Sequence, residues 1–120
     1  MSIIKDTEVM TNEYDIEIYQ TASGKEPFTE WLESLKDSSA KRTIFVRLQR
    51  IRQGNFGDCH SVGNGLQELR IHLGPGYRVY FGNIANKLIL LFGGGKKVTQ
   101  KKDIKLCKDF LRDYREQCND

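Results

Sequence analysis

The clearest structural signal of this chain lies in residues 66–92, which read LQELRIHLGPGYRVYFGNIANKLILLF. Apolar and polar residues alternate in the first part of this stretch, as they do in a strand with one buried face. The turn sequence Gly74-Pro75-Gly76 separates that part from a second strand-like run. Residues 83–86 turn the chain again before residues 87–92, a mostly apolar run suited to the middle of a sheet. Three strands with such short connections predict an antiparallel meander.

An N-terminal strand and a helical hairpin are predicted before this meander. Residues 14–19 alternate apolar and acidic side chains, which is typical of a half-buried strand. Pro27 fits the first turn of a helix. The apolar stripe of that helix has members at i, i+3, i+4 and i+7, and we expect all of them to be core residues: Phe28, Trp31, Leu32 and Leu35. Asp37 with Ser38 and Ser39 supplies an N-cap for a second helix, which Gly54 ends.

A glycine-rich loop and a last helix complete the predicted elements. Residues 54–65 contain four glycines and no periodicity, so we expect a loop there. Thr99 can cap a C-terminal helix. Its buried side would be formed by Ile104, Cys107, Leu111 and Tyr114. The order of strand, helical hairpin, meander and helix predicts an α+β fold with helices on one face of the sheet. We expect one domain over residues 14–118, preceded by an N-terminal extension over residues 1–13.

The charge of the chain is unevenly distributed. Residues 1–40 hold three Lys or Arg against nine Asp or Glu, whereas residues 41–102 hold twelve against two. The second segment therefore has a net charge of +10 (12 − 2). A positive field of this density attracts a polyanion such as nucleic acid, although a solvated basic helix would explain the charge equally well.

Composition excludes several other classes of protein. The longest apolar run, residues 88–92, is far too short to cross a bilayer, and residues 1–15 show no signal peptide. Three widely spaced cysteines favour reduced structural thiols, so we expect a cytoplasmic protein. No HExxH motif or Cys/His cluster offers metal ligands, and Gly95-Lys96-Lys97 fails the remaining requirements of a phosphate-binding loop. We expect neither a metal nor another cofactor.

The remaining chemistry lies in cations and a hydroxyaromatic residue on adjacent predicted strands. These candidates are Arg70 and His72, then Arg78 and Tyr80, then Lys96 and Lys97. Neighbouring strands lie about 4.8 Å apart, so the groups can converge on one sheet face. Metal-free RNA cleavage needs such a set, because fixed cations stabilise charge on the phosphoryl oxygens while other groups move protons.

Each candidate also has an ordinary structural interpretation. His72 is the only histidine that we expect near the cluster, but an ordinary strand histidine is the commoner situation. Arg78 has no obvious partner in the sequence, which favours function over structure. Tyr77 and Tyr80 can stack on bases, and we expect one of them to pack in the core instead. The basic side of the second helix is better interpreted as a docking surface than as a site of chemistry.

Three motifs together resemble a known family. They are residues 69–81 (LRIHLGPGYRVYF), residues 93–97 (GGGKK) and residues 100–104 (QKKDI). The combination resembles the HigB-like, "addiction module killer protein" branch of the RelE/ParE toxin superfamily, over about residues 14–115. The upstream Pro27-Phe28 and residues 54–58 (GNFGD) resemble it too.

The resemblance implies a small fold like that of microbial ribonucleases and a type II toxin–antitoxin function. The activity it implies is metal-independent, ribosome-dependent cleavage of mRNA, and the partners are a cognate antitoxin, mRNA and the ribosome. By resemblance, Arg78 matches the arginine that contacts the scissile phosphate, and Lys97 stands where a catalytic arginine is usual. Arg70 and His72 fall near the first-strand basic residues. The catalytic tyrosine of the family aligns near Asp103, so the general acid and base stay unassigned.

We therefore expect an endoribonuclease. Its predicted catalytic residues are Arg78, Lys97, Arg70, His72 and Tyr80, and its predicted RNA-binding residues are Lys96, Lys101, Lys102, Arg47 and Arg50. Two alternatives stay open: a ParE-like toxin that poisons DNA gyrase without cutting RNA, and an inactive nucleic-acid-binding relative. Fold alone does not separate them.

Overall fold

The computed structural model describes residues 13–118, so the predicted N-terminal extension lies outside the described residues except for Glu13. The strands are β1 Asp15–Ile18, β2 Cys59–Ser61, β3 Leu66–Ile71, β4 Tyr77–Ile84 and β5 Leu88–Lys96. The helices are α1 Pro27–Ser34, α2 Ser38–Arg52 and α3 Gln100–Cys118. A short 3₁₀ helix, Lys97–Thr99, leads into α3. The predicted α+β class is confirmed.

The strands form one five-stranded sheet in the order β1-β5-β4-β3-β2. The predicted meander β3-β4-β5 is antiparallel throughout, and β1 joins its outer edge parallel to β5. The prediction of a continuous loop over residues 54–65 is wrong, because Cys59–Ser61 pairs antiparallel with β3. Three residues carry too little periodicity to be recognised as a strand without their partner.

The helical hairpin begins and ends as its residue types predict. Oδ1 of Asp37 accepts hydrogen bonds from the backbone N–H groups of Ser39 and Ala40, at 2.9 and 3.1 Å. These bonds satisfy two of the donors that every helix start leaves free. Gly54 follows α2 with φ of +89°, a left-handed conformation that suits glycine.

Helices cover both faces of the sheet, which corrects the expectation of a single covered face. The hairpin of α1 and α2 packs on one face, where its buried side chains meet those of alternate strand residues: Phe28, Ile44, Ile51, Leu69, Val79, Phe81 and Leu91. On the other face α3 covers a second cluster: Tyr19, Leu66, Tyr80, Leu90, Phe92, Cys107 and Leu111. Because side chains alternate along each strand, the sheet contributes apolar side chains to two cores, one on each face.

The three consecutive glycines of β5 allow helices to approach the sheet closely. A Cβ atom on Gly94 would overlap the indole of Trp31, and one on Gly95 would overlap the carboxylate of Asp103. A Cβ on Gly93 would lie 3.0 Å from Sγ of Cys107. These residues extend β5 beyond the predicted end at Phe92 and bring the start of α3 against the end of the strand.

Candidate nucleic-acid site

A polar cluster lies on the α3 face of the sheet, where β3 and β4 pair. Glu68 is opposite Tyr80, and Arg70 is opposite Arg78, so the four side chains form two adjacent cross-strand rows on one face. Gln100, the first residue of α3, closes the cluster. The predicted site residues Arg70, Arg78 and Tyr80 are therefore brought together, around a glutamate that the sequence prediction did not include.

Glu68 is the centre of this cluster and has no exposed surface. Its Oε1 accepts a hydrogen bond from Nε of Arg70 at 2.8 Å. Its Oε2 accepts one from Nε2 of Gln100 at 2.8 Å and one from the hydroxyl of Tyr80 at 3.1 Å. A buried carboxylate is tolerated when its oxygens are bonded in this way.

The surroundings of Glu68 keep it ionised. Burial by itself would raise the pKa of the Glu68 carboxyl, but the bonds from Arg70, Gln100 and Tyr80 and the charge of Arg78 outweigh burial and lower it. The same carboxylate raises the pKa of Arg70 by accepting its hydrogen bond. Glu68 therefore acts as a fixed negative charge that orients two positive ones.

Arg78 is nearly buried and has the partner that seemed to be missing from the sequence. Its Nε lies 3.4 Å from Oε2 of Glu68, and the side chain is only 9% exposed. The interpretation of Arg78 as a residue without a structural partner is therefore wrong. Nε nevertheless makes no hydrogen bond, and Nη1 reaches the carbonyl of Gly76 at 3.4 Å. The guanidinium is thus held electrostatically, and its buried Nε has no hydrogen-bond partner.

Lys97 lies near Arg78, at the edge of the cluster around Glu68. Its backbone N–H donates to the carbonyl of Gly76 at 2.8 Å, and a Cβ on Gly76 would lie within 3.5 Å of both Lys97 and Arg78. Four lysine side chains are exposed around the start of α3: Lys96, Lys97, Lys101 and Lys102. They add to the partial positive charge of the helix N-terminus, so this end of the sheet is strongly electropositive.

His72 lies at the rim of the same face in an unexpected group. Its Nε2 is 2.5 Å from Oδ2 of Asp58, and Nε2 of His60 is 2.5 Å from Oδ1 of the same carboxylate. His72 is therefore not the single histidine near the cluster, which corrects the sequence interpretation. The bonds from His72 and His60 lower the pKa of the Asp58 carboxyl.

Other predicted site residues do not join the exposed cations. Tyr80 is fully buried, and burial, together with the nearby Glu68, raises the pKa of its phenol. Tyr77 is buried as well, so both tyrosines pack in the interior rather than one. Arg47 and Arg50 belong to α2, which covers the opposite face, and Nη1 of Arg47 donates to the carbonyl of Arg70.

Asp103, which stands where the family pattern has a tyrosine, is engaged within the first turn of α3. Its Oδ2 accepts a hydrogen bond from Oγ1 of Thr99 at 2.5 Å. The hydroxyl of Thr99 in turn accepts from the N–H of Lys96. The sequence interpretation is that Asp103 caps or pairs within its helix; it does pair locally, but its partner Thr99 belongs to the 3₁₀ helix directly before α3.

Four residues of the site were missed from sequence: Asp58, His60, Glu68 and Gln100. Glu68 stood two residues before Arg70, on the same predicted face, and that spacing could have identified it. Asp58 and His60 stood in the segment predicted as loop, and Gln100 is brought in only by the tertiary position of α3. Nothing local in the sequence marks those three.

Within residues 13–118, no group of three or more His, Cys, Asp or Glu side chains is arranged to hold a metal ion. Asp58, His60 and His72 are not such a group. None of the helices in this part of the chain combines the length and the apolar character that crossing a membrane requires.

Fold and site together define a small α+β protein that presents a glutamate-held pair of arginines beside exposed lysines. No family model matches the chain. It is 51% identical, over 81 residues, to an uncharacterized protein of Haemophilus influenzae strain Rd, a match that covers 68% of this chain and 82% of that protein. The chain belongs to the same family as this Haemophilus influenzae protein. The description of that relative states no activity, so the similarity by itself assigns no activity to this chain.

Proposed function

We propose that the chain is the toxin of a type II toxin–antitoxin module, a member of the RelE/ParE superfamily that cleaves mRNA on the translating ribosome without a metal. The observation that carries this proposal is the pair Arg70 and Arg78, both within reach of the buried carboxylate of Glu68 and bordered by the exposed lysines at the start of α3. The HigB-like motifs of the sequence support the same function.

The arginine pair suits stabilisation of a phosphoryl transition state. Glu68 restricts both guanidinium groups before any ligand arrives, so little reorganisation would be needed as charge develops on the phosphoryl oxygens. A guanidinium binds two phosphate oxygens through parallel N–H groups, and in this proposal the terminal nitrogens of Arg78 would do so, because its Nε is buried beside Glu68. In this proposal Arg78 contacts the scissile phosphate and Arg70 positions the neighbouring backbone.

The exposed lysines suit binding of the flanking RNA. Lys97 lies beside Arg78, and Lys96, Lys101 and Lys102 continue the positive surface along the start of α3. Contacts of this kind supply affinity without reading sequence, because they address phosphate oxygens. Arg47 and Arg50, on the other side of the sheet, would contact the ribosome or a distant part of the RNA.

The cognate antitoxin would cover the face formed by Arg70, Arg78 and Lys97. Acidic side chains of the antitoxin would then neutralise the cations that the RNA needs. Exposed charge pairs are screened by salt, so the affinity of the complex should fall steeply as salt is added. Because mRNA and ribosomes are its targets, the toxin would act in the cytoplasm.

Primer extension on a defined mRNA in a reconstituted translation system tests the proposed function. We expect cuts at codon positions when ribosomes are translating and none when ribosomes are left out. Growth arrest with uncut transcripts, together with co-purification of gyrase subunits, would contradict the proposal and favour a ParE-like toxin. Harmless overexpression of the folded protein would favour an inactive relative.

A further inference from the structure

Asp58 lies between two imidazoles that approach different oxygens of its carboxylate. Nε2 of His60 is 2.5 Å from Oδ1, and Nε2 of His72 is 2.5 Å from Oδ2. All three side chains reach solvent, with exposures of 46% for His60, 75% for His72 and 35% for Asp58. A ligand on the sheet face can therefore reach both imidazoles.

The positions of the protons follow from the charge of Asp58. A carboxylate only accepts hydrogen bonds, so Nε2 of each imidazole must carry the shared hydrogen. In a neutral ring held this way, Nδ1 is the remaining acceptor, and within residues 13–118 the only side-chain hydrogen bond of each imidazole is the one from Nε2. Each histidine is thus held at one nitrogen and available for proton transfer at the other.

This group adjoins the arginine cluster. The backbone N–H of Arg70 donates to the carbonyl of Asp58 at 3.0 Å, and His60 stands opposite Glu68 across β2 and β3. The charged groups that face the Asp58 segment are Arg70 and Glu68 from β3 and Arg47 from α2, whose guanidinium lies against Gly57. The histidines therefore adjoin the strand positions from which Arg70 and Arg78 would hold a phosphate.

We propose that His60 and His72 are the general base and general acid of RNA cleavage and that Asp58 is the residue that positions both. This inference rests on the ribonuclease function proposed above. One neutral imidazole accepts the proton of the 2′-hydroxyl as O2′ forms a bond to phosphorus. The P–O5′ bond breaks, and the other imidazole, protonated beforehand, donates its proton to the leaving O5′. The products are a 2′,3′-cyclic phosphate and a 5′-hydroxyl.

Asp58 has two effects in this scheme. It fixes the orientation of both rings, and its negative charge stabilises whichever imidazole is protonated at a given step. Because both rings bond the same carboxylate, a change at Asp58 affects both histidines at once.

The first test is the pH profile of single-turnover cleavage of mRNA in programmed ribosomes, between pH 5 and pH 9. The wild-type protein should give a bell-shaped profile. His60→Ala and His72→Ala should each lose one limb of the bell and about 100-fold or more in rate. Asp58→Asn should lower the rate and shift both limbs without weakening binding to the ribosome complex. Ser61→Ala, on the same short strand, is the matched control and should behave like wild type.

A second test assigns the two roles. An mRNA with sulfur in place of O5′ at the cleaved position has a leaving group that needs no proton. This substrate should restore the rate of the variant that lacks the acid, and it should not restore the variant that lacks the base. Rescue of neither single variant, or an unchanged pH profile in the double variant His60→Ala/His72→Ala, would overturn the assignment.

The same experiments separate failure of this inference from failure of the proposed function. A double histidine variant that cleaves normally, alongside an Arg78→Ala variant that does not, would refute the histidine assignment and leave the nuclease intact. Absence of cleavage by the wild-type protein in programmed ribosomes would refute both.

Discussion

Nε of Arg78 and Oε2 of Glu68 lie 3.4 Å apart in the interior of the sheet, as an ion pair without a hydrogen bond between these two atoms. The other three partners of Glu68 do form hydrogen bonds to it. Arg78 is therefore held beside Glu68 by charge rather than by a hydrogen bond between these two atoms, and its side chain is only 9% exposed. In the proposed function, the terminal nitrogens of this guanidinium would contact the phosphate.

Glu68→Gln should destabilise the protein by about 2–4 kcal/mol. The variant leaves the buried guanidinium of Arg78 without its counter-charge, and breaking a buried pair in this way is strongly destabilising. Urea unfolding followed by circular dichroism would measure the change. Glu33→Gln, at an exposed position of α1, serves as the control and should change stability by less than about 0.5 kcal/mol. Equal free energies of unfolding for the two variants would show that the Glu68 cluster does not stabilise the fold.

Acid should destabilise the protein through Glu68. Its pKa in the folded state lies below the ordinary value of 4.5, so the folded state favours the carboxylate. The resulting stabilisation is complete above the ordinary pKa of glutamate and is lost as pH falls through the lower, folded-state pKa. The free energy of unfolding should decline less over this acidic window in Glu68→Gln than in wild type. Parallel declines would contradict the ionised state of Glu68.

Gly94→Ala should destabilise the protein by about 1–3 kcal/mol, because the new methyl group would overlap the indole of Trp31. Trp31→Ala, which removes that indole, should suppress part of this effect. In a double-mutant cycle measured by thermal unfolding, the double variant should therefore be more stable than the sum of the two single changes predicts. Strict additivity would mean that the glycine is required for another reason.

Alkylation of the thiols should begin at Cys118. Burial raises the pKa of the Cys59 thiol to about 11 and that of Cys107 to about 12, so little thiolate exists at either position near neutral pH. Cys118 is exposed at the end of α3. Mass spectrometry after brief treatment with iodoacetamide at pH 8 should find one modified residue per folded chain. Modification of Cys107 at a comparable rate would contradict its buried position.

Most of the fold was predictable because its signals are local. Asp37 capped α2, Gly54 ended it, and the alternation of residues 66–71 was that of a real strand. The second covered face was not predictable, since the apolar stripe of α3 does not say which side of the sheet it meets. The glycines of β5 were also misjudged. Their role is to admit Trp31 and Asp103, and close approach by distant residues leaves no local trace.

Of the residues in the site, only the cations could be predicted from the sequence. Arg70 and Arg78 share a face because strand alternation requires it, and the meander made them neighbours. Glu68 lies on the same strand as Arg70. Its place in the cluster also depends on a hydrogen bond from Gln100, thirty-two positions further along the chain, which the sequence does not indicate. Asp58 joins His60 and His72 only once β2 has paired with β3, so their group emerges from tertiary structure.

In the proposed function, Arg78 is held by Glu68 and stabilises the phosphoryl transition state of RNA cleavage. The most direct measurement is the single-turnover rate of mRNA cleavage in programmed ribosomes for Arg78→Ala and Arg78→Lys, with Lys87→Ala as a control at the opposite end of β5. Arg78→Lys keeps a charge beside Glu68 and so guards against simple unfolding. We predict that both Arg78 variants lose about 100-fold or more in rate while Lys87→Ala cleaves normally. A folded Arg78→Ala variant that cleaves at the wild-type rate would contradict the account.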